Sequence, residues 1–113
     1  MKARVISGWV LSGIAALLFF TAGCFKLSNN PIDVNAFTLY GLSLPFMYAV
    51  GVAEIAGAAT LLTKQRLAGA VVLTIVGLGA AFEHLTHAQA AFAPIPLVLA
   101  AFALGGALLR GAA

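Results

Sequence analysis

Four stretches of the chain stay apolar for about as long as a lipid hydrocarbon core is thick, and most polar residues fall between them. A helix rises 1.5 Å per residue, so about 20 apolar residues cross a core of about 30 Å. The pattern predicts spans over residues 5–25, 44–63, 67–87 and 92–109. The first has no charge inside it. The second is interrupted by Glu54, and the third turns polar at its end, with Glu83, His84 and His87. The fourth holds Pro94 and Pro96 in its first turn, where a missing N–H costs little. Backbone groups in lipid must be paired within the segment, so these are helices.

The connections fit that layout. Lys64-Gln65-Arg66 is a tight basic turn, and Ala88 to Ala91 is a short uncharged one. Residues 26–43 form the one long connection. Within it Asn30-Pro31 reads as an N-cap with proline at the first helical position. Ile32, Ala36, Phe37 and Tyr40 would then share a face, suggesting a short helix lying in the interface, with an irregular loop as the alternative. Gly8, Ser12 and Ala16, and again Ala53 and Gly57, are small residues four apart. Such rows let helices pack closely, within one chain or in a homo-oligomer.

Composition moves the picture from apolar helices to a membrane protein. The chain is 63% hydrophobic and 8% charged, with a mean hydropathy of +1.09. A soluble domain carries about 25% charged residues, so lipid is the solvent that fits. The net charge of +3 does not signal nucleic acid, because the cations sit singly or in pairs between apolar runs. They signal topology instead. Lys2, Arg4, Lys64, Arg66 and Arg110 fall on one side of the spans and Lys26 on the other. Basic residues in short loops mark the cytoplasmic side. The expectation is an all-α, antiparallel four-helix bundle of one domain, multi-pass in the inner membrane, N-in and C-in.

Cys24 raises a competing reading, since Ala22-Gly23-Cys24 could end a lipoprotein signal. Thr21 stands where such signals carry an aliphatic residue, and about 21 apolar residues exceed the 7–15 of a secretory core. Residues 22–27 therefore read as the end of a helix, with Cys24 a small packing residue. One cysteine also leaves no redox pair, no zinc motif and no intrachain disulfide.

Ionisable groups within a span cost about 2.5–3.5 kcal/mol each and are functional candidates. Glu54 is the first, flanked by residues too small to shield it. Glu83 and His87 share a helical face, as do His84 and His87, and Lys26 lies at a similar depth. These groups could converge at the outer mouth with Glu54 beneath. Structural roles compete with each: a packing hydrogen bond for Glu54, a snorkelling anchor for Lys26, a wetted interfacial residue for His87. The spacing His84-x-x-His87 is neither of the usual helical metal patterns, so no metal site is expected. Trp9, Tyr40 and Tyr48 read as belt or packing residues.

Three motifs, in order, resemble those of the DoxX-like family of small bacterial membrane proteins. They are Ala22-Gly23-Cys24-Phe25-Lys26-Leu27, then Gly51-Val52-Ala53-Glu54-Ile55-Ala56-Gly57-Ala58, then Glu83-His84-Leu85. The resemblance implies the four-span fold and singles out Lys26, Glu54 and His84, without a settled role for any. It also implies a redox setting, since relatives in the wider DoxX group include a subunit of a thiosulfate:quinone oxidoreductase. The leading expectation is an accessory component working with a membrane or peripheral oxidoreductase partner. A quinone would sit in an apolar pocket closed by Lys26, Glu54 and His84. The alternatives are a structural scaffold and a proton-coupled exporter of hydrophobic cations using Glu54.

Overall fold

The computed structural model describes residues 2–111. The chain forms α1 (Ala3–Leu27), α2 (Pro31–Leu39), α3 (Leu44–Leu61), α4 (Arg66–Thr86), a single 3-10 turn (Ala90–Phe92) and α5 (Pro94–Arg110). Among the described residues four helical segments are long and apolar enough to cross a membrane, and they coincide with the four expected spans. In the ring of long helices α1 packs on α3 and α5, and α4 packs on the same two; α2 lies against α3 and α1. The structure is an all-α helical bundle of the kind that spans membranes.

Local chemistry sets the ends. The second span stops at Leu61 rather than Thr63. There the Thr63 hydroxyl donates to the Thr60 carbonyl and accepts the Gln65 N–H, closing the chain into a turn. The fourth span begins as the 3-10 turn and becomes α-helical at Pro94. At the end of the bundle where α5 starts, α1, α2 and α4 finish alike. Asn29, Gly41 and Ala88 take positive φ of 59°, 73° and 60°. The next N–H in each case reaches back five residues, to Phe25, Phe37 and His84. This left-handed closure satisfies end carbonyls that water would otherwise have to reach.

The short helix α2 forms as the Asn30-Pro31 signal predicts, with the Asn30 side chain accepting the Ile32 N–H at 3.0 Å. Ala36, Phe37 and Tyr40 of the expected face are half-buried, together with Asp33 and Val34. Ile32 departs from it, being 80% exposed. Asp33 turns inward because a cation waits for it there.

The core is made of small residues. Ala15, Ala16, Ala58, Ala70, Ala103 and Ala107 are buried with Phe19, Leu61 and Leu73, while many large side chains, Leu17, Ile75 and Leu78 among them, face outward. Lipid tails are as apolar as leucine, so close packing rather than apolar burial holds such helices together. The Gly8-Ser12 row is used within the chain, against Gly106 of α5: a Cβ added at Gly106 would meet Ser12 Oγ at 2.5 Å and the Gly8 carbonyl at 2.9 Å. Cys24 corrects the expectation of a packing residue, because it is exposed on α1. Its neighbour Gly23 is the buried one.

Candidate functional site

The site begins with a contact between two glycines. A Cβ built on Gly23 of α1 would fall 2.6 Å from the Gly51 carbonyl of α3, and one on Gly51 would fall 3.0 Å from the Gly23 carbonyl. The two backbones touch, which only glycine at both positions permits. Lys26 and Glu54 each stand three residues further along their helices. Since the helices are antiparallel, Lys26 lies nearer the α2 end and Glu54 nearer the middle, about 9 Å apart along the axis at 1.5 Å per residue. The long lysine side chain closes that gap, and Lys26 Nζ lies 2.9 Å from Glu54 Oε1.

Both partners are withdrawn from the surface, with 13% of the Lys26 side chain and 5% of the Glu54 side chain exposed. Glu54 Oε1 takes no other hydrogen bond, so Lys26 is what makes its charge tolerable. On the far side Lys26 Nζ also approaches Asp33 Oδ1 at 3.7 Å. One ammonium thus bridges a carboxylate from the middle of the bundle and one from α2. Asp33 is a site residue that the hydrophobic pattern did not single out. The available signal was an acid in the first turn of a helix opened by Asn30-Pro31.

A second cluster lies where α4 meets the loop after α2. The Tyr40 hydroxyl donates to Gln89 Oε1, and its oxygen lies 2.8 Å from His84 Nδ1. With the phenol proton given to Gln89, His84 Nδ1 is the donor to Tyr40. The His87 ring packs against Tyr40 at 4.6 Å between centroids, and His84 lies 6.1 Å from Phe92. Burial, and after it the Glu83 carboxylate, hold the Tyr40 phenol above its ordinary value of 10.0. Tyr40 and Gln89 were expected in packing and turn roles; the structure makes them the partners of His84.

The five candidate residues therefore divide. Lys26 and Glu54 meet across α1 and α3. His84 belongs to the Tyr40 cluster. Glu83 pairs with His87, one turn on, at 3.3 Å from His87 Nδ1; it does not pair with Lys26. Tyr48 adds a further tie by donating to Asn29 Oδ1. Among the described residues no three His, Cys, Asp or Glu side chains gather to hold a metal ion.

The sequence signature of the DoxX-like family matches residues 10–106. The chain belongs to the DoxX-like family. Comparison with curated proteins and with solved structures finds no match. The match takes in both glycines of the helix contact, Lys26, Glu54 and His84. In this DoxX-like chain the Gly23-x-x-Lys26 and Gly51-x-x-Glu54 spacings have one physical meaning: the glycines bring the helices together and the residues three later form an ion pair. The chain is a small multi-pass membrane protein with a charged pair inside its bundle.

Proposed function

We propose that this DoxX-like protein is an accessory component of a quinone-linked redox system in the inner membrane, with its five-cation end in the cytoplasm. The observation that carries the reading is the contact sequence Glu54–Lys26–Asp33. Three ionisable groups run from the middle of α3 to the interfacial helix α2. A charge in a membrane span is costly, and a linked set of them is the usual means of moving protons there. Quinone reduction and oxidation take up and release protons, so a partner oxidoreductase would be served by such a relay. The redox relatives of the wider DoxX group support the same setting. With α1 and α3 in backbone contact at Gly23 and Gly51, a quinone would approach from the lipid side.

The pair also favours a second reading, a structural scaffold, because a matched ion pair is itself a tie between α1 and α3. The exporter reading loses ground: Glu54 already holds a cation, and an exchanging carboxylate must be free to take another.

The test uses membranes from cells with and without the protein. Those containing it should reduce a short-chain quinone faster with an endogenous donor. Glu54→Gln should remove the difference while the protein is still found in the membrane. Equal rates in all three would leave the scaffold reading.

A further inference from the structure

At the end of the bundle away from α2, Trp9, Leu62, Thr63, Lys64, Arg66 and Arg110 line an open cleft of about 360 Å³. Arg110 is fixed within it. Its guanidinium carbon lies 3.7 Å over the Trp9 ring, and its Nη1 donates to Ser12 Oγ at 3.1 Å and to the Leu61 carbonyl. Among the described residues its Nε is buried without an acceptor. Arg66 Nε donates to the Ala107 carbonyl at 2.9 Å. These acceptors are neutral. The chain has three acidic side chains: Asp33 and Glu54 sit with Lys26, and Glu83 sits with His87. No Asp or Glu remains to neutralise the cleft, and three cations face one opening.

Beside the cleft lies an apolar groove of about 300 Å³ between α1 and α3. Leu62 lines both. Below it the α1 wall is Gly13, Ala16, Leu17 and Phe20, facing Ala58 and Ala59 of α3. Trp9, Gly13, Ala16 or Leu17, and Phe20 are three or four residues apart, one stripe along α1. From Trp9 to Phe20 the stripe runs about 16 Å at 1.5 Å per residue, roughly half the thickness of a hydrocarbon core. Gly13 leaves the groove open, since a Cβ there would meet nothing within 4 Å.

We propose that cleft and groove together bind one anionic phospholipid. Its phosphate meets Lys64, Arg66 and Arg110, and one acyl chain lies between α1 and α3. Basic pockets between membrane helices recognise phosphate headgroups by this charge complementarity. A groove one leaflet long beside three cations that no Asp or Glu side chain accompanies suits an amphiphile with an anionic head. Inorganic phosphate would fill the cleft and ignore the groove. A neutral lipid would fill the groove and leave the cations unmatched.

Native mass spectrometry of the full chain in neutral detergent tests this, with phosphatidylglycerol, phosphatidylcholine and inorganic phosphate as probes. Phosphatidylglycerol should be retained more tightly than phosphatidylcholine. Lys64→Gln should weaken it about fivefold, the usual effect of one basic residue near an anionic headgroup. Gly13→Leu keeps every cation and fills the groove, so it should weaken phosphatidylglycerol by a similar factor. Both positions are exposed, and both variants should fold. Equal retention of the two lipids would overturn the proposal. So would displacement of the lipid by millimolar phosphate, or a Gly13→Leu chain that binds like the wild type; these would leave a site for free anions.

Discussion

Lys26 Nζ stands 2.9 Å from Glu54 Oε1 because Gly23 and Gly51, three residues before each, let α1 and α3 touch. The pair is worth most when one member is removed. Lys26→Met leaves a carboxylate without its partner inside the bundle, a change that costs about 3–5 kcal/mol for a buried pair. Adding Glu54→Gln should recover part of that loss. Glu83→Gln breaks only a partly exposed pair with His87, worth about 0–1 kcal/mol. Thermal unfolding in detergent should rank Lys26→Met lowest, the double variant above it and Glu83→Gln near the wild type. Equal shifts for Lys26→Met and Glu83→Gln would show that the Lys26–Glu54 contact does not hold the helices.

Tyr40 fastens the loop after α2 to α4 through His84 and Gln89. Tyr40→Phe removes both hydrogen bonds, each worth about 1 kcal/mol. Amide exchange across residues 31–42 should speed up while the middle of α1 and α3 is unchanged. Uniform exchange in the two proteins would place the anchoring of α2 elsewhere.

The same phenol sets a pH dependence. Its folded-state pKa lies above 10.0, raised by burial and by Glu83. The folded state therefore keeps the proton after the unfolded state has begun to lose it. The stabilisation is fully present below about pH 10 and is lost as pH rises through the folded pKa. Ultraviolet titration of tyrosinate should show one phenol ionising late, absent from Tyr40→Phe. A variant whose titration matches the wild type would contradict the burial of this phenol.

The spans, the signal for α2 and the three motifs were legible in the sequence because each rests on local pattern. Asn30-Pro31 and small residues four apart act over one or two turns, and an apolar run of about 20 residues acts within one helix. The clustering was less legible. Lys26 and Glu54 are recognisable as costly in lipid, but their pairing needs the Gly23–Gly51 contact, a tertiary fact. Asp33 is half-buried beside Lys26 although it lies off the apolar face of its own helix, while Ile32 on that face is exposed. Tyr40 and Gln89 lie in separate turns, and only the fold brings both to His84.

Glycines can be sorted by what lies over them. A Cβ on Gly69 would fall 2.4 Å from the Leu61 backbone nitrogen, with rigid backbone around it. Gly69→Ala should cost about 1–3 kcal/mol through forced separation of α3 and α4. Gly13→Ala meets nothing within 4 Å and should stabilise α1 by up to about 1 kcal/mol through helix propensity. Detergent denaturation series of the two variants should move in opposite directions. Equal stability in both would mean that α3 and α4 part without cost.

The orientation proposed from the charge distribution is open to direct measurement. If the end carrying Lys64 and Arg66 faces the cytoplasm, as the positive-inside rule requires, the loop at Ser28 faces the other way. In a Cys24→Ser background, Ser28→Cys should react with a membrane-impermeant maleimide added to intact cells. Lys64→Cys should react only after the membrane is opened. Both positions are exposed, so a failure to label reports sidedness rather than burial. The reverse pattern would invert the protein and place the Glu54–Lys26–Asp33 contacts on the cytoplasmic side. A quinone-linked partner would then be sought there.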